Sequence, residues 1–146
     1  MNMVQVYIKG QEDKELSSFL RYYPVRIKNI GMDAFFDRQV VYDFKDDRNH
    51  ADVVKCVAKM LIKVVGERTA VHGTKVKKEE RAKRLKEKNN IEVDANFFKN
   101  KIVCIWDDVV TTGTSFCAYT AQLEQVGAHV TNGIFLGKTS YKYVQQ

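Results

Sequence analysis

Residues 107–115, DDVVTTGTS, join two adjacent carboxylates to a glycine set among three threonines and a serine. Gly113 lets the backbone turn tightly, with no Cβ in the way. If a helix starts just after it, the first backbone N–H groups have no intrahelical partners. Those amides and the helix dipole favour an anion. Thr111, Thr112, Thr114 and Ser115 add hydroxyl donors with little bulk, a set suited to a phosphate monoester. Asp107 and Asp108 repel phosphate and must address another part of the ligand. An ionised carboxylate only accepts hydrogen bonds, so the hydroxyls of a sugar are natural partners. A phosphate at one end and a diol at the other describe a ribose 5-phosphate group.

The elements that would position this loop can be read on either side of it. NKIVCIW (100–106) predicts a buried strand, with Trp106 a core or rim residue beside the loop. SFCAYTAQLEQVG (115–127) predicts a helix with Phe116, Tyr119, Thr120, Leu123 and Val126 inward, closed by Gly127. AHVTNGIFLG (128–137) predicts a final strand. Strand, loop, helix and strand over 101–137 make one βαβ unit with parallel strands. Ligands in such sheets bind beyond the carboxyl ends of the strands, where 107–115 lies.

Further upstream, VQVYI (4–8) predicts a strand, KELSSFLRYY (14–23) a short helix stopped by Pro24, and RQVVYDF (38–44) a second strand. HADVVKCVAKMLIKVV (50–65) predicts an amphipathic helix with Val53, Val57, Met60, Leu61 and Val64 on one face, closed by Gly66. ERTAVH (67–72) is an ambiguous short strand, and 76–88 has strong helix formers but little apolar face. The expected fold is a single α/β domain over 1–146, a mostly parallel sheet with flanking helices.

The stretch from Ile102 to Ser115 resembles the 5-phosphoribosyl 1-pyrophosphate (PRPP) signature of the type I phosphoribosyltransferases. In that family an apolar run precedes two acidic residues, two apolar residues, then Thr-Thr-Gly-x-Thr/Ser. Here Ile102–Trp106, Asp107-Asp108, Val109-Val110 and Thr111-Thr112-Gly113-Thr114-Ser115 match every position. The resemblance implies a Rossmann-like type I fold in abbreviated form. It places Asp107 and Asp108 on the ribose 2′ and 3′ hydroxyls as the catalytic pair, with Val110 to Ser115 around the 5′-phosphate. YYPVRIKN, VVYDFKDDRNHADVV and the basic run before FFKNKIVCIWDD resemble, more faintly, the competence-associated ComF-type branch. A working transferase of this type also needs a pyrophosphate loop after an earlier strand. The candidate is His72-Gly73-Thr74-Lys75, on a poor preceding strand, in a chain short for the family.

The implied function is binding of PRPP or a ribonucleotide monophosphate, with phosphoribosyl transfer to a nitrogenous base if the chain is active. Mg²⁺ would then arrive with the pyrophosphate, held by ligand oxygens and waters, with no protein metal site. Lys75, Arg81 and Lys138 are the candidate cations for ligand contact. The alternatives are a non-catalytic, regulatory phosphoribosyl-binding relative and a nucleic-acid-associated accessory protein using 75–88. GIFLGKT (133–139) is not a phosphate loop of the Gly-x₄-Gly-Lys-Thr type, because Gly133 and Gly137 are separated by three residues.

Charge is local. The net is +6, and residues 75–88 hold eight Lys/Arg against three Glu, which leaves only +1 elsewhere. That run is a solvated face, a cationic cover over a phosphorylated ligand, or a nucleic-acid contact lacking aromatic residues for base stacking. No apolar run reaches membrane-spanning length, and no secretory leader is evident at the N-terminus. Cys56, Cys104 and Cys117 form no C-x-x-C pair and are expected as buried, reduced thiols of a cytoplasmic protein. His50, His72 and His129 show no metal-ligand spacing. A sheet lacking a strand would expose an edge, so a homodimer is expected.

Overall fold

The longest strand of the sheet is also the one with the longest unbroken buried run. In the computed structural model, which describes residues 3–46, 50–66 and 93–144, β4 (His129–Thr139) lies inside a four-stranded sheet of order β1-β2-β4-β3. Its residues from Gly133 to Gly137 are buried without a break. Such a run is what a parallel strand covered on both faces requires. β3 (Ile102–Val110) and β2 (Glu15–Tyr22) pair with it in parallel, while β1 (Val4–Gln5) pairs with β2 antiparallel. The α/β class and the parallel βαβ pair over 101–137 are as expected from sequence. β3 runs four residues further than expected and carries the acidic pair within it.

Each face of the sheet has its own apolar cluster. On one, Ile8, Leu16, Ile105, Phe135 and Val130 meet Phe116 and Leu123 of α4 (Thr114–Gln125). Gly133 is what brings Phe116 down onto the sheet: a Cβ there would lie 2.6 Å from the Phe116 ring and 2.9 Å from Leu16. On the other, Leu136 and Trp106 meet Val41 and Phe44 of α1 (Met32–Lys45) and Val57 of α2 (His50–Val65). The α2 helix is as expected, including its Gly66 stop at φ +70°, although Val64 is 43 % exposed. In α4, Phe116, Thr120 and Leu123 are buried as expected, and Tyr119 is 37 % exposed. A short helix, α3 (Ala95–Phe98), is capped by Asp94, whose side chain accepts from the Phe97 N–H.

Two expectations are reversed. Residues 14–23 do not form a helix: Glu15–Tyr22 is strand β2, in register with β4 from Glu15↔Asn132 to Tyr22↔Thr139. Pairing with β4 satisfies its backbone and buries Leu16, Ser18 and Phe19, which outweighs a weak local helix preference. Residues 38–44 are not a strand but the second half of α1. The local run of Val40, Val41, Tyr42 and Phe44 looks extended, yet Ala34 and Val41 are the buried positions, spaced by two helical turns. The strand that the ComF-type likeness places at 38–44 is therefore helical. The ambiguous strand at 67–72 and the helix-forming run 76–88 lie outside the described residues.

Arg38 ties α1 to the segment that follows β2. Its guanidinium donates to the carbonyls of Tyr23 (2.6 Å), Pro24 (3.2 Å) and Ile27 (2.9 Å). Lysine cannot reproduce that fork. Arg38→Ala is expected to lower unfolding free energy by about 2 kcal/mol, read from denaturant midpoints. A shift within error of zero would remove this role.

Candidate functional site

The carboxyl ends of β2, β3 and β4 lie on one edge because all three run parallel. There the chain leaves β3 at Val110, crosses 111–113 and enters α4 at Thr114. Gly113 is the N-cap of that helix at φ +88°, ψ +9°, with no side-chain cap hydrogen bond. The left-handed conformation turns the chain from strand to helix, and glycine adopts it without a Cβ penalty. Space demands glycine as well, because a Cβ there would lie 2.7 Å from three carbons of Ile8. The first-turn amides of α4 are thus left for solvent or a ligand.

Asp107, Val109 to Phe116 and Phe135 line a cavity of about 140 Å³. A site for a whole small molecule is usually roughly 300–1,000 Å³. This one suits a phosphate with its adjoining sugar, leaving a base outside. Thr111, Thr112, Thr114 and Ser115 are exposed around a buried Gly113. Val110 is 3 % exposed and belongs to the apolar floor. A larger hollow, about 490 Å³, lies at the opposite end of β4 among Asp13, Glu124 and residues 127–131. Lys14 engages both of its carboxylates, at 3.2 Å to Asp13 and 3.1 Å to Glu124. It lies far from the glycine loop and lacks that loop's donors.

The acidic pair is divided by its strand geometry. Neighbouring strand residues project to opposite sides; Asp107 lines the cavity and Asp108 lies outside the lining. Each carboxylate accepts from the next backbone N–H, Asp108 N–H to Asp107 Oδ1 at 2.8 Å and Val109 N–H to Asp108 Oδ1 at 2.7 Å. Burial pushes the Asp107 carboxyl up to about 6. The Asp108 N–H opposes that rise, the Asp108 carboxylate adds to it, and Lys45 at the end of α1 draws it back.

That shift has a sign. In the unfolded chain Asp107 ionises near ~4, so between about pH 4 and 6 the folded chain holds the extra proton. Stability contributed by this group is therefore present below pH 4 and is lost as pH rises toward 6. Asp107→Asn should remove that segment of the pH–stability curve. Identical curves for the two proteins over pH 4–6 would refute the buried carboxyl.

The loop is tied to β4 by Lys138, a ligand-contact candidate from sequence, and by Thr139. Thr111 Oγ1 lies 2.8 Å from Thr139 Oγ1. Lys138 Nζ donates to the carbonyl oxygens of Thr111 (3.1 Å) and Thr139 (3.2 Å). Partial burial lowers the pKa of that ammonium. Thr112 and Thr114 hydroxyls pair at 3.0 Å. Thr139 and Ile8 were missed from sequence. GKTS (137–140), small and hydroxyl-rich at the end of the last apolar run, was the available signal for Thr139; nothing local announced Ile8. Lys75, Arg81 and the His72–Lys75 loop lie outside the described residues.

Cys56 is exposed on α2, contrary to expectation, while Cys104 and Cys117 are half-buried. α2 turns Val57 inward, not its neighbour Cys56. Trp106 packs against Phe44 and Phe19, each with ring centroids 6.2 Å away. Among the described residues, no group of three or more His, Cys, Asp or Glu is placed to hold a metal ion. Nor is any helix there long and apolar enough to cross a membrane.

No protein-family model, curated protein or solved structure matches this chain significantly.

Proposed function

We propose that this chain binds a phosphoribosyl ligand, PRPP or a ribonucleoside 5′-monophosphate, at the carboxyl edge of its sheet. One observation carries the reading: a single cavity brings the Asp107 carboxyl together with the glycine loop and the start of α4. The 5′-phosphate takes the amides and hydroxyls of 112–115, and the ribose diol donates to Asp107. Asp108, outside the cavity lining, acts on the diol through Asp107, whose carboxylate its N–H holds at 2.8 Å. The four-stranded, mostly parallel sheet with helices on it is compatible with a Rossmann-like fold, and an abbreviated type I phosphoribosyltransferase fold is part of the proposal. A cytoplasmic setting is part of the proposal, in keeping with three cysteines that form no C-x-x-C pair. β3 ends the sheet on one side among the described residues, which supports a homodimer, testable by light scattering.

Calorimetric titration with ribose 5-phosphate, adenosine 5′-monophosphate and PRPP tests the reading, with inorganic phosphate and adenosine as halves of the ligand. The monophosphates are expected to bind more tightly than either half. No heat from any phosphoribosyl compound sinks it.

Phosphoribosyl transfer asks for more. Holding phosphate and diol stabilises substrate and transition state alike and does not speed the chemical step. Donors must stand where the leaving pyrophosphate gathers charge. Lys138 is the candidate cation among the described residues, and its ammonium already serves two carbonyls. The non-catalytic, regulatory form of the reading is therefore the better supported. With Mg²⁺ carried by the pyrophosphate, release from PRPP in the presence of adenine, guanine, hypoxanthine, uracil or orotate is expected to stay well below ~1 per second. Faster turnover would place a pyrophosphate loop elsewhere in the chain.

A further inference from the structure

We infer that Lys138 is the positioning residue of the phosphate-binding loop, a latch that holds the first loop residue against the end of β4 so that the amides behind it stay aligned. The inference rests on the phosphoribosyl reading for its functional consequence, but the latch itself is visible without any ligand.

Thr111 is the first residue beyond β3. Its two polar handles are both taken by consecutive residues of β4: the carbonyl by Lys138 Nζ at 3.1 Å, the hydroxyl by Thr139 Oγ1 at 2.8 Å. The same ammonium also reaches the Thr139 carbonyl at 3.2 Å, closing a ring between the two strand ends. β3 and β4 are already in register there, with Val110 opposite Lys138. The ladder therefore ends at one residue, and the side-chain latch carries the coupling one residue further, into the loop. Two residues on, Gly113 must hold its left-handed turn above Ile8 for the α4 amides to converge. An ammonium bound to two carbonyls is a charge-assisted tie, stronger than a neutral one. It sets Thr111 as a fixed post and leaves Thr112, Thr114 and Ser115 as the hydroxyls that face a ligand.

This differs from a lysine that simply attracts phosphate. A purely electrostatic lysine would leave the ligand-free loop unchanged when removed. A latch would not.

The experiment compares the full chain with Lys138→Met and Lys138→Arg. Amide hydrogen exchange at Cys117, whose N–H donates to the Gly113 carbonyl at 2.9 Å, is measured without ligand, beside exchange in α2 as an internal reference. Affinity is then measured for ribose 5-phosphate. In Lys138→Met, exchange at Cys117 should rise on the order of tenfold, as for loss of a charged hydrogen bond, with α2 unchanged. Ribose 5-phosphate affinity should fall by a similar factor. Lys138→Arg keeps the charge and two forked donors, and should restore both. Unchanged exchange in Lys138→Met overturns the latch, even if affinity falls. Acceleration spread equally through α2 also overturns it, since that reports general destabilisation. If the wild-type chain binds no ribose 5-phosphate, the phosphoribosyl reading fails, while the exchange data still decide the latch.

Discussion

Gly113→Ala is expected to be the most damaging single substitution at the candidate site. The position demands glycine twice. At φ +88° a side chain strains the backbone by about 1–3 kcal/mol. The added methyl would also sit 2.7 Å from Cδ1, Cγ1 and Cγ2 of Ile8, and overpacking of that kind costs roughly 1–3 kcal/mol. Ile8 is 3 % exposed within the core and has little room to retreat. The sum is about 2–6 kcal/mol, a large part of a small domain's stability. Ribose 5-phosphate binding should be lost, because the turn that aims the α4 amides is gone. The two causes separate in a double-mutant cycle with Ile8→Ala. Removing Ile8 should recover the steric share and leave the backbone share. Additivity of the two substitutions would show that the contact does not limit this position, and unaltered stability of Gly113→Ala would refute the turn itself.

The second large effect concerns Asp107 and Asp108, and its two readouts should move apart. In the Asp107→Asn, Asp108→Asn double variant, affinity for ribose 5-phosphate should drop at least tenfold at pH 8. A charged hydrogen bond is worth about 1.5–3 kcal/mol, and the diol loses its ionised acceptor. Folding stability at the same pH should hold or rise. Burial pushes the Asp107 carboxyl up to about 6, so keeping it ionised at pH 8 burdens the fold by on the order of 2 kcal/mol. An asparagine oxygen still accepts from the Asp108 N–H and removes that burden. In the wild type, ligand affinity should strengthen as pH rises through 6, while the stability contribution of Asp107 declines over pH 4–6. Affinity unchanged by the double substitution excludes the ribose assignment. A fall in stability instead would mean the pair is structural.

The second half of the chain was far more legible than the first, and the reason is local completeness. From Ile102 to Thr139 each element states its own nature: a short apolar run, a glycine turn, a helix with Phe116, Thr120 and Leu123 on one side, another apolar run. Residues 14–23 and 38–44 were read in reverse because the deciding partners are remote. ELSSFLRY becomes a strand only beside residues 132–139. The helix over 32–45 shows its period only when Ala34 is counted with Val41. The loop chemistry was readable since it lies in one stretch. The burial of Asp107, the exclusion of Asp108 from the cavity, the Ile8 floor and the Thr139 and Lys138 ties were not. Each depends on a neighbour brought in by sheet pairing, at a distance no window of the sequence spans.

The sheet order has a consequence for how the chain comes to be folded. β2 and β3 do not pair with each other; they are joined in the sheet only through β4, the last strand described. Until residues 129–139 exist, the β1–β2 hairpin is the one strand pairing among the described residues that can form. During synthesis more than a hundred residues must wait with Leu16, Phe19, Ile105 and Trp106 unpartnered across strands. Pairing of Leu16 with Gly133 closes a long loop, the kind of contact that slows folding and lengthens exposure of apolar segments. The central strand is thus also the trigger. Folding becomes a late, nearly all-at-once event, and a chain cut before His129 should remain a client for chaperones rather than a smaller version of the same protein.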